Sequence, residues 1–242
     1  MNAPPRAAAE LAEKLALANR ILYDQRVVDG FGHASVRHDA SAAHFLLARN
    51  MAPALVTAAD ILTFDLDGNA LDADGPGVYL ERFIHGEIYR ARPDVGAIVH
   101  SHSPSVIPFA ATRTSLRPVF HMSGFLGEGS VLFEIRDVAG ETDLLIRDAA
   151  LGRALAASLG DASLVLMRGH GSTVVGASLE QAVYRAIYAE TNARLQTQAL
   201  ALGQVTYLTG REAALAAATN DTQLARTWEL WVRRVSDRAA NG

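Results

Sequence analysis

The chain of 242 residues contains no cysteine. That excludes disulfides, iron–sulfur clusters, thiolate zinc sites and a cysteine nucleophile, so any metal site must be built from His, Asp and Glu. No apolar run reaches the roughly 18 residues a membrane-spanning helix needs, and no membrane span is expected. Surplus positive charge is missing too. The net charge is −4 and no basic patch stands out, so neither nucleic acid nor an anionic membrane is an expected partner. The opening stretch MNAPPRAAAELAEKLALANR carries charges throughout and lacks the apolar segment of a secretion signal, which makes the cytoplasm the expected compartment.

What is present is 50% hydrophobic and 20% charged, the balance of a globular chain with a substantial core, and the length suits one domain over residues 1–242. Leu11, Leu15, Ala18 and Leu22 recur at helical spacing and predict a helix over Ala7–Val28, broken by Asp29-Gly30. Extended segments are expected at His33–His38, His44–Arg49 and Ile61–Phe64, with a tight turn at Asp65–Asn69. A loop through Pro76 leads to a helix near Leu80–Arg92, ended by Pro93. Val95–His102 (VGAIVHSH) reads as a buried strand, followed by a helical patch to Ala111 and by strands and loops over Pro118–Asp143. A helix is expected at Asp148–Leu159, stopped by Gly160. Ser163–Gly171 (SLVLMRGHG) repeats the strand-then-histidine design, and a long helix over Leu179–Leu202 opens a mostly helical remainder containing Trp228 and Trp231. Strands in the middle with helices at both ends point to a layered α/β domain.

His100 and His102 are alternate residues of the expected strand and so share a face. Two such imidazoles can hold one ion, although alone they could also be ordinary strand-face histidines. Their emergence from the apolar run GAIV argues that they need partners. His170 lies between Gly169 and Gly171, which permit a sharp turn and close backbone approach. Alone it is a turn histidine; as a third imidazole it completes a site with an open position, as a catalytic cation needs. Three imidazoles with an optional carboxylate suit one zinc, manganese or cobalt ion. Glu81, near a helix start, is by itself a carboxylate favourable to the helix dipole. His85, four residues on, shares its helical face and is a candidate to orient it.

Glu81-Arg82-Phe83-Ile84-His85, ARPDVGAIVHSHSP and RGHGSTVVG together resemble the class II aldolase/adducin family over roughly residues 8–205. In that family an acidic residue stands nineteen positions before the first histidine of an HxH pair, as Glu81 stands before His100, and a later HG turn supplies a third histidine. The resemblance implies a three-layer α/β/α sandwich around a mostly antiparallel sheet. It implies a divalent cation on His100, His102, His170 and Glu81, and a homotetramer with active sites between subunits. Sugar-phosphate members carry a phosphate cradle: an Asn in GN-x-S-x-R, a TPSG-like turn, and a Ser pair before the glutamate. This chain has His33 in GHASVR, LARNMAP (Leu47–Pro53) and Tyr79-Leu80 at those places, and a leucine and a bulky aromatic cannot supply hydroxyls to a phosphate.

These segments, with HMSGFLG and RGHG, are similar to the decarboxylase branch, whose members remove CO2 from hydroxylated aromatic dicarboxylates or from carboxylated ring-cleavage dienoates. The resemblance therefore implies a metal-dependent carboxy-lyase of aromatic catabolism with a small carboxylate substrate. An aldolase acting on a sugar phosphate or hydroxy-keto acid stays open as the alternative. Glu81, His33 and Arg49 are the candidate catalytic residues. Arg49, suited to bidentate pairing with a carboxylate, is with His33, Ser35 and Arg168 a candidate substrate contact. Tyr184 and Tyr188 share a helix face and read as core, although family members can send such a tyrosine into a neighbouring site. His121 has no assigned role.

Overall fold

The computed structural model describes residues 9–71, 77–112 and 114–240, with side chains to 238. The loop through Pro76 and the first two residues of the predicted N-terminal helix lie outside these. The described elements are α1 (Ala9–Asp24), β1 (His33–Arg37), β2 (His44–Ala48), β3 (Ile61–Asp65), α2 (Arg82–Ala91), β4 (Ala97–Ser101), α3 (Ile107–Ala111), β5 (Val131–Phe133), α4 (Arg136–Ala139), α5 (Ala149–Leu159), β6 (Leu164–Met167), β7 (Gly171–Gly176), α6 (Leu179–Leu202), α7 (Gly210–Asp221) and α8 (Leu224–Ala240). The strands form one sheet in the order β3-β2-β1-β4-β7-β6-β5. Every pair is antiparallel except β5 and β6. The expected α/β/α sandwich with a mostly antiparallel sheet is the observed architecture.

Strand alternation builds two cores from the same strands. Ala34 and Val36 of β1 and Ala97 and Val99 of β4 join α1, α6 and α8 on one face, with Leu15, Leu22, Val183 and Trp231. The intervening residues face α2 and α5. There Ile98 packs with Phe45, Phe64, Ile84, Ile88 and Leu155, and His33 pairs directly across from His100. Helix α5 starts where Asp148 accepts a hydrogen bond from the Leu151 N–H at 2.9 Å, an N-cap on the expected residue. The turn at Asp65–Asn69 also forms, with Gly68 at φ +82°.

Three elements differ from expectation. α1 ends at Asp24 rather than Val28, because Arg26 takes φ +61° and the Val27 N–H returns to the Leu22 carbonyl. Over Pro118–Asp143 β5 is the one strand among the described residues, the rest being a 3-10 segment (His121–Leu126), α4 and loops. Just before it, Asn192 and Gln196 of α6 bond the backbone groups of Ser115, Arg117 and Val119, doing what a neighbouring strand would otherwise do. Gly171–Gly176 (GSTVVG), for which no element is expected past Gly171, is a fully buried central strand, β7. A Cβ on Gly171 would sit 2.1 Å from the Ser101 carbonyl oxygen, so glycine is what lets β7 close against β4.

Candidate active site

One ligand-bearing corner is assembled from three places in the chain. β4 carries His100 one residue before its end at Ser101. The β6–β7 hairpin turn, with Gly169 at φ +66°, presents His170. Glu81 occupies the N-cap position of α2 without making a cap hydrogen bond, so the helix-dipole reading does not describe its side chain. The side-chain ligand atoms of Glu81, His100, His102 and His170 all lie within 4.8 Å of one another. Glu81 Oε2 is 3.5 Å from His100 Nε2 and 3.4 Å from His170 Nε2. His170 Nε2 is 3.0 Å from His102 Nε2. One refinement of the HxH reading follows: β4 stops at Ser101, so His102 sits just past the strand and converges with His100 from the loop.

The donor set fits a divalent cation. Among the described residues His100 Nε2 is buried with no hydrogen-bond partner, an uncompensated cost unless something electropositive sits against it. His170 Nδ1–H donates to the Leu144 carbonyl at 3.0 Å, which leaves the Nε2 lone pair for a ligand. Burial pushes the His100 imidazole well below its ordinary pKa and lowers that of His102, so both are neutral, the form that binds metal. Burial opposes charge on Glu81, yet the His100 and His170 rings and the Ile146 N–H hold its carboxyl far below the usual range. The Ile146 N–H donates to Glu81 Oε1 at 2.9 Å.

A short loop supports two of these ligands at once. Leu144 gives its carbonyl to His170 and Ile146 gives its N–H to Glu81, while Leu145 faces the cavity. Leu144 has φ +70°, a costly conformation for a non-glycine residue and of the kind found at functional sites. Nothing in the residue types Asp-Leu-Leu-Ile signals this role.

A stripe on β1 meets a stripe on α2 beside the corner. Residues 33 and 35 alternate onto the α2 face, where residues 81, 85 and 89 recur at the helical repeat. His33 Nδ1 is 2.7 Å from His85 Nε2. His85 Nδ1 is 2.6 Å from Ser35 Oγ, which is 2.9 Å from the Tyr89 hydroxyl. Both ring nitrogens of His85 are thus used on His33 and Ser35. His85 does not orient Glu81; the Ile146 N–H does. Burial, with the neighbouring His85, keeps His33 well below the ordinary histidine pKa, and burial takes His85 down to about 3. Both rings are neutral.

The cavity over this corner has a volume of about 360 Å³, the size of a small-molecule site. His33, Glu81, His100 and His102 contribute its polar residues, with Asn50; Phe31, Met51, Tyr79, Leu80 and Leu145 contribute apolar ones. The Tyr79 ring packs on His33 at 4.6 Å between centroids, and its hydroxyl donates to the Met51 carbonyl at 2.5 Å. No Lys or Arg is among the described lining residues.

The other sequence candidates sit as follows. Arg49, just before lining residues Asn50 and Met51, donates from Nε to Asp60 at 2.7 Å. Ser35 is fully buried behind His33 and is not a lining residue. Arg168 pairs with Glu134 at 2.8 Å, also outside the lining. The Tyr184 hydroxyl donates to the Met122 carbonyl, and Tyr188 packs on the Tyr184 ring, both on the α1/α6/α8 side of the sheet. His121 is exposed.

Fold and site together define an α/β/α sandwich protein with a three-histidine, one-carboxylate cluster that could hold a cation beside a largely apolar cavity. Residues 13–197 match the family described as the class II aldolase and adducin N-terminal domain, and the chain belongs to that family. It is 37% identical over 239 residues to the decarboxylase tropJ of Talaromyces stipitatus, covering 89% of this chain and 90% of that protein. It is 36% identical over 205 residues to a 3,4-dihydroxyphthalate decarboxylase of Arthrobacter keyseri, covering 79% of each. Among solved structures, an aldolase II superfamily protein from Pseudomonas syringae superposes with a TM-score of 0.80 at 24% identity, covering 97% of this chain and 95% of that one. An L-fuculose 1-phosphate aldolase from Glaciozyma antarctica gives 0.79 at 24% identity, covering 98% and 95%. At that identity the structural likeness speaks for the fold alone. Among the described residues no helix is long and apolar enough to cross a membrane.

Proposed function

We propose that this protein is a divalent-metal-dependent decarboxylase acting on a hydroxylated aromatic dicarboxylate. The observation that carries this reading is the make-up of the cavity wall. Of the segments that part from the sugar-phosphate pattern, His33, Asn50 to Ala52 within Leu47–Pro53, and Tyr79 with Leu80 line it. They offer aromatic and aliphatic surface where a phosphate needs hydroxyls and backbone N–H groups. The names of the decarboxylases at 37% and 36% identity support the same reaction class.

A carboxyl ortho to a ring hydroxyl leaves as CO2 when the C–C electron pair can flow toward that oxygen; a cation held by Glu81, His100, His102 and His170 supplies Lewis acidity for that charge. Phe31, Met51, Tyr79, Leu80 and Leu145 sandwich a planar ring and exclude water, which strengthens each polar contact inside. His33 contacts a substrate carboxylate within the cavity, and Arg49, which bonds Asp60 through Nε, meets the outer carboxylate. The proton that replaces CO2 on carbon passes through Glu81. Ser35 acts on His33 through His85, and Arg168 braces the turn bearing His170 through Glu134. Phe31 and Leu80, 70% and 54% exposed beside the cavity, suit cover by a neighbouring subunit, in keeping with a homotetramer; sedimentation velocity tests that.

The reading is tested by offering zinc- or manganese-loaded protein 3,4-dihydroxyphthalate, a carboxylated dienoate semialdehyde and L-fuculose 1-phosphate. Release of CO2 from the aromatic acid, with no cleavage of the sugar phosphate, is the expected result. Sugar-phosphate cleavage without CO2 release would overturn it.

A further inference from the structure

The cavity poses a problem for a carboxylate-binding protein: no cation of the chain is among its described lining residues. Apart from the metal corner and Asn50, the polar side chain there is His33, and with Nδ1 turned to His85 its Nε2 is the ring nitrogen left for the cavity. Whether Nε2 carries a proton decides whether it attracts or repels an anion. A neutral imidazole has one N–H, so the answer depends on which way the proton points in the His33–His85 hydrogen bond.

The buried chain behind His33 fixes that direction. Tyr89 is 1% exposed, and its hydroxyl has a hydrogen bond to Ser35 and no other among the described residues. If Tyr89 donates to Ser35, Ser35 donates to His85 Nδ1, and His85 Nε2–H donates to His33 Nδ1. Every buried proton in the chain is then used, and His33 bears its own on Nε2. If the order is reversed, Ser35 donates to Tyr89, and the phenol proton is stranded among neighbours that do not accept it, the Phe45 ring at 5.4 Å and the Arg37 guanidinium at 4.7 Å. If His85 and Tyr89 both donate to Ser35, the serine proton is stranded instead. A buried hydroxyl proton without an acceptor biases such an equilibrium by about tenfold or more.

We propose that His85, backed by Ser35 and Tyr89, is a positioning residue that locks His33 as the tautomer with its proton on Nε2, giving the cavity a neutral N–H donor for a substrate carboxylate. The substrate class rests on the decarboxylase reading; the tautomer does not. The chain is an orienting device rather than a proton supply, because a proton drawn through it would leave a phenolate on Tyr89, and burial pushes that phenol above its ordinary pKa. Glutamine at position 85 keeps an amide N–H about where His85 Nε2–H lies, whereas phenylalanine keeps bulk and loses the donor.

The test is ring 15N–1H NMR of zinc-loaded protein labelled on histidine, with the His33 signals assigned from His33→Gln. The wild type and His85→Gln are expected to show His33 protonated on Nε2 and bare on Nδ1. His85→Phe is expected to show loss or mixing of that tautomer, with kcat/KM on 3,4-dihydroxyphthalate down about tenfold and largely restored in His85→Gln. Should the phenylalanine variant not fold, Ser35→Ala serves, since it removes the donor to His85 Nδ1 and frees the chain to reverse. A wild-type His33 protonated on Nδ1, or an undiminished Nε2–H form in His85→Phe, overturns the proposal. If the wild type releases no CO2 but His33 is locked and released as described, the decarboxylase reading fails and the lock stands.

Discussion

The two faces of β1 and β4 are cut from the same few residues and do opposite work. Ala34, Val36, Ala97 and Val99 turn to one side and pack with apolar residues of α1, α6 and α8. His33, Ser35 and His100 turn to the other, where α2 meets them with Glu81, His85 and Tyr89. Period-two alternation lets a single strand anchor the fold and carry the site without compromise between them. The lesson is that adjacent residues here should fail in different ways.

The largest effect belongs to His102→Ala. It is expected to take metal content, read by elemental analysis, below detection and to remove turnover, while the metal-free protein keeps its circular dichroism spectrum. Bound metal at wild-type stoichiometry would remove His102 from the ligand set. On the other face, Val99→Ala, next in sequence to His100, removes two buried methyl groups and is expected to cost about 1–2 kcal/mol of stability in urea denaturation. Its kcat/KM should stay within about twofold, since no site residue moves. A large activity loss from Val99→Ala would break the division between the faces.

Smaller effects sharpen the contrast within the cavity. Tyr79→Ser exchanges aromatic wall for a hydroxyl and is expected to lower kcat/KM for an aromatic acid by about tenfold, a loss of packing worth about 1.4 kcal/mol, with metal content unchanged. Arg49→Ala is expected to raise KM for a dicarboxylate a few-fold with kcat little altered; unchanged kinetics would confine Arg49 to its pair with Asp60. The smallest effect is on pH dependence. His85 titrates near 3 in the folded chain against an ordinary 6.5. The unfolded chain therefore takes up the proton first, and stability is lost as pH falls from about 6.5 toward 3. His85→Gln lacks that linkage, so its chelated form should lose less stability between pH 7 and pH 4.5 than chelated wild type. Parallel losses would contradict the burial of a neutral His85.

Much of this was legible in the chain. The apolar run into His100, the glycines around His170 and the placement of Glu81 led to the His-Glu cluster that could hold a metal, and Tyr79, Leu80 and His33 led to the cavity wall. What was hidden is tertiary. β7 carries no strand signal, because Gly171, Ser172 and Thr173 have neither alternation nor bulk, and it is a strand because glycine lets it sit against Ser101. The support that Leu144 and Ile146 give to His170 and Glu81 comes from backbone groups, to which residue type is blind. His85 shares a helical face with Glu81 as its spacing implied, but its bonds go to β1 because that is the strand α2 covers. Arg49 carried no sign that Asp60, eleven residues on, would hold it.

The most direct test of the central claim is a metal titration of CO2 release. Protein stripped with a chelator is given 3,4-dihydroxyphthalate, and zinc or manganese is added back in steps. The account predicts no release without metal and recovery that saturates near one ion per chain. Full release from metal-free protein, or none at saturating metal, would contradict it.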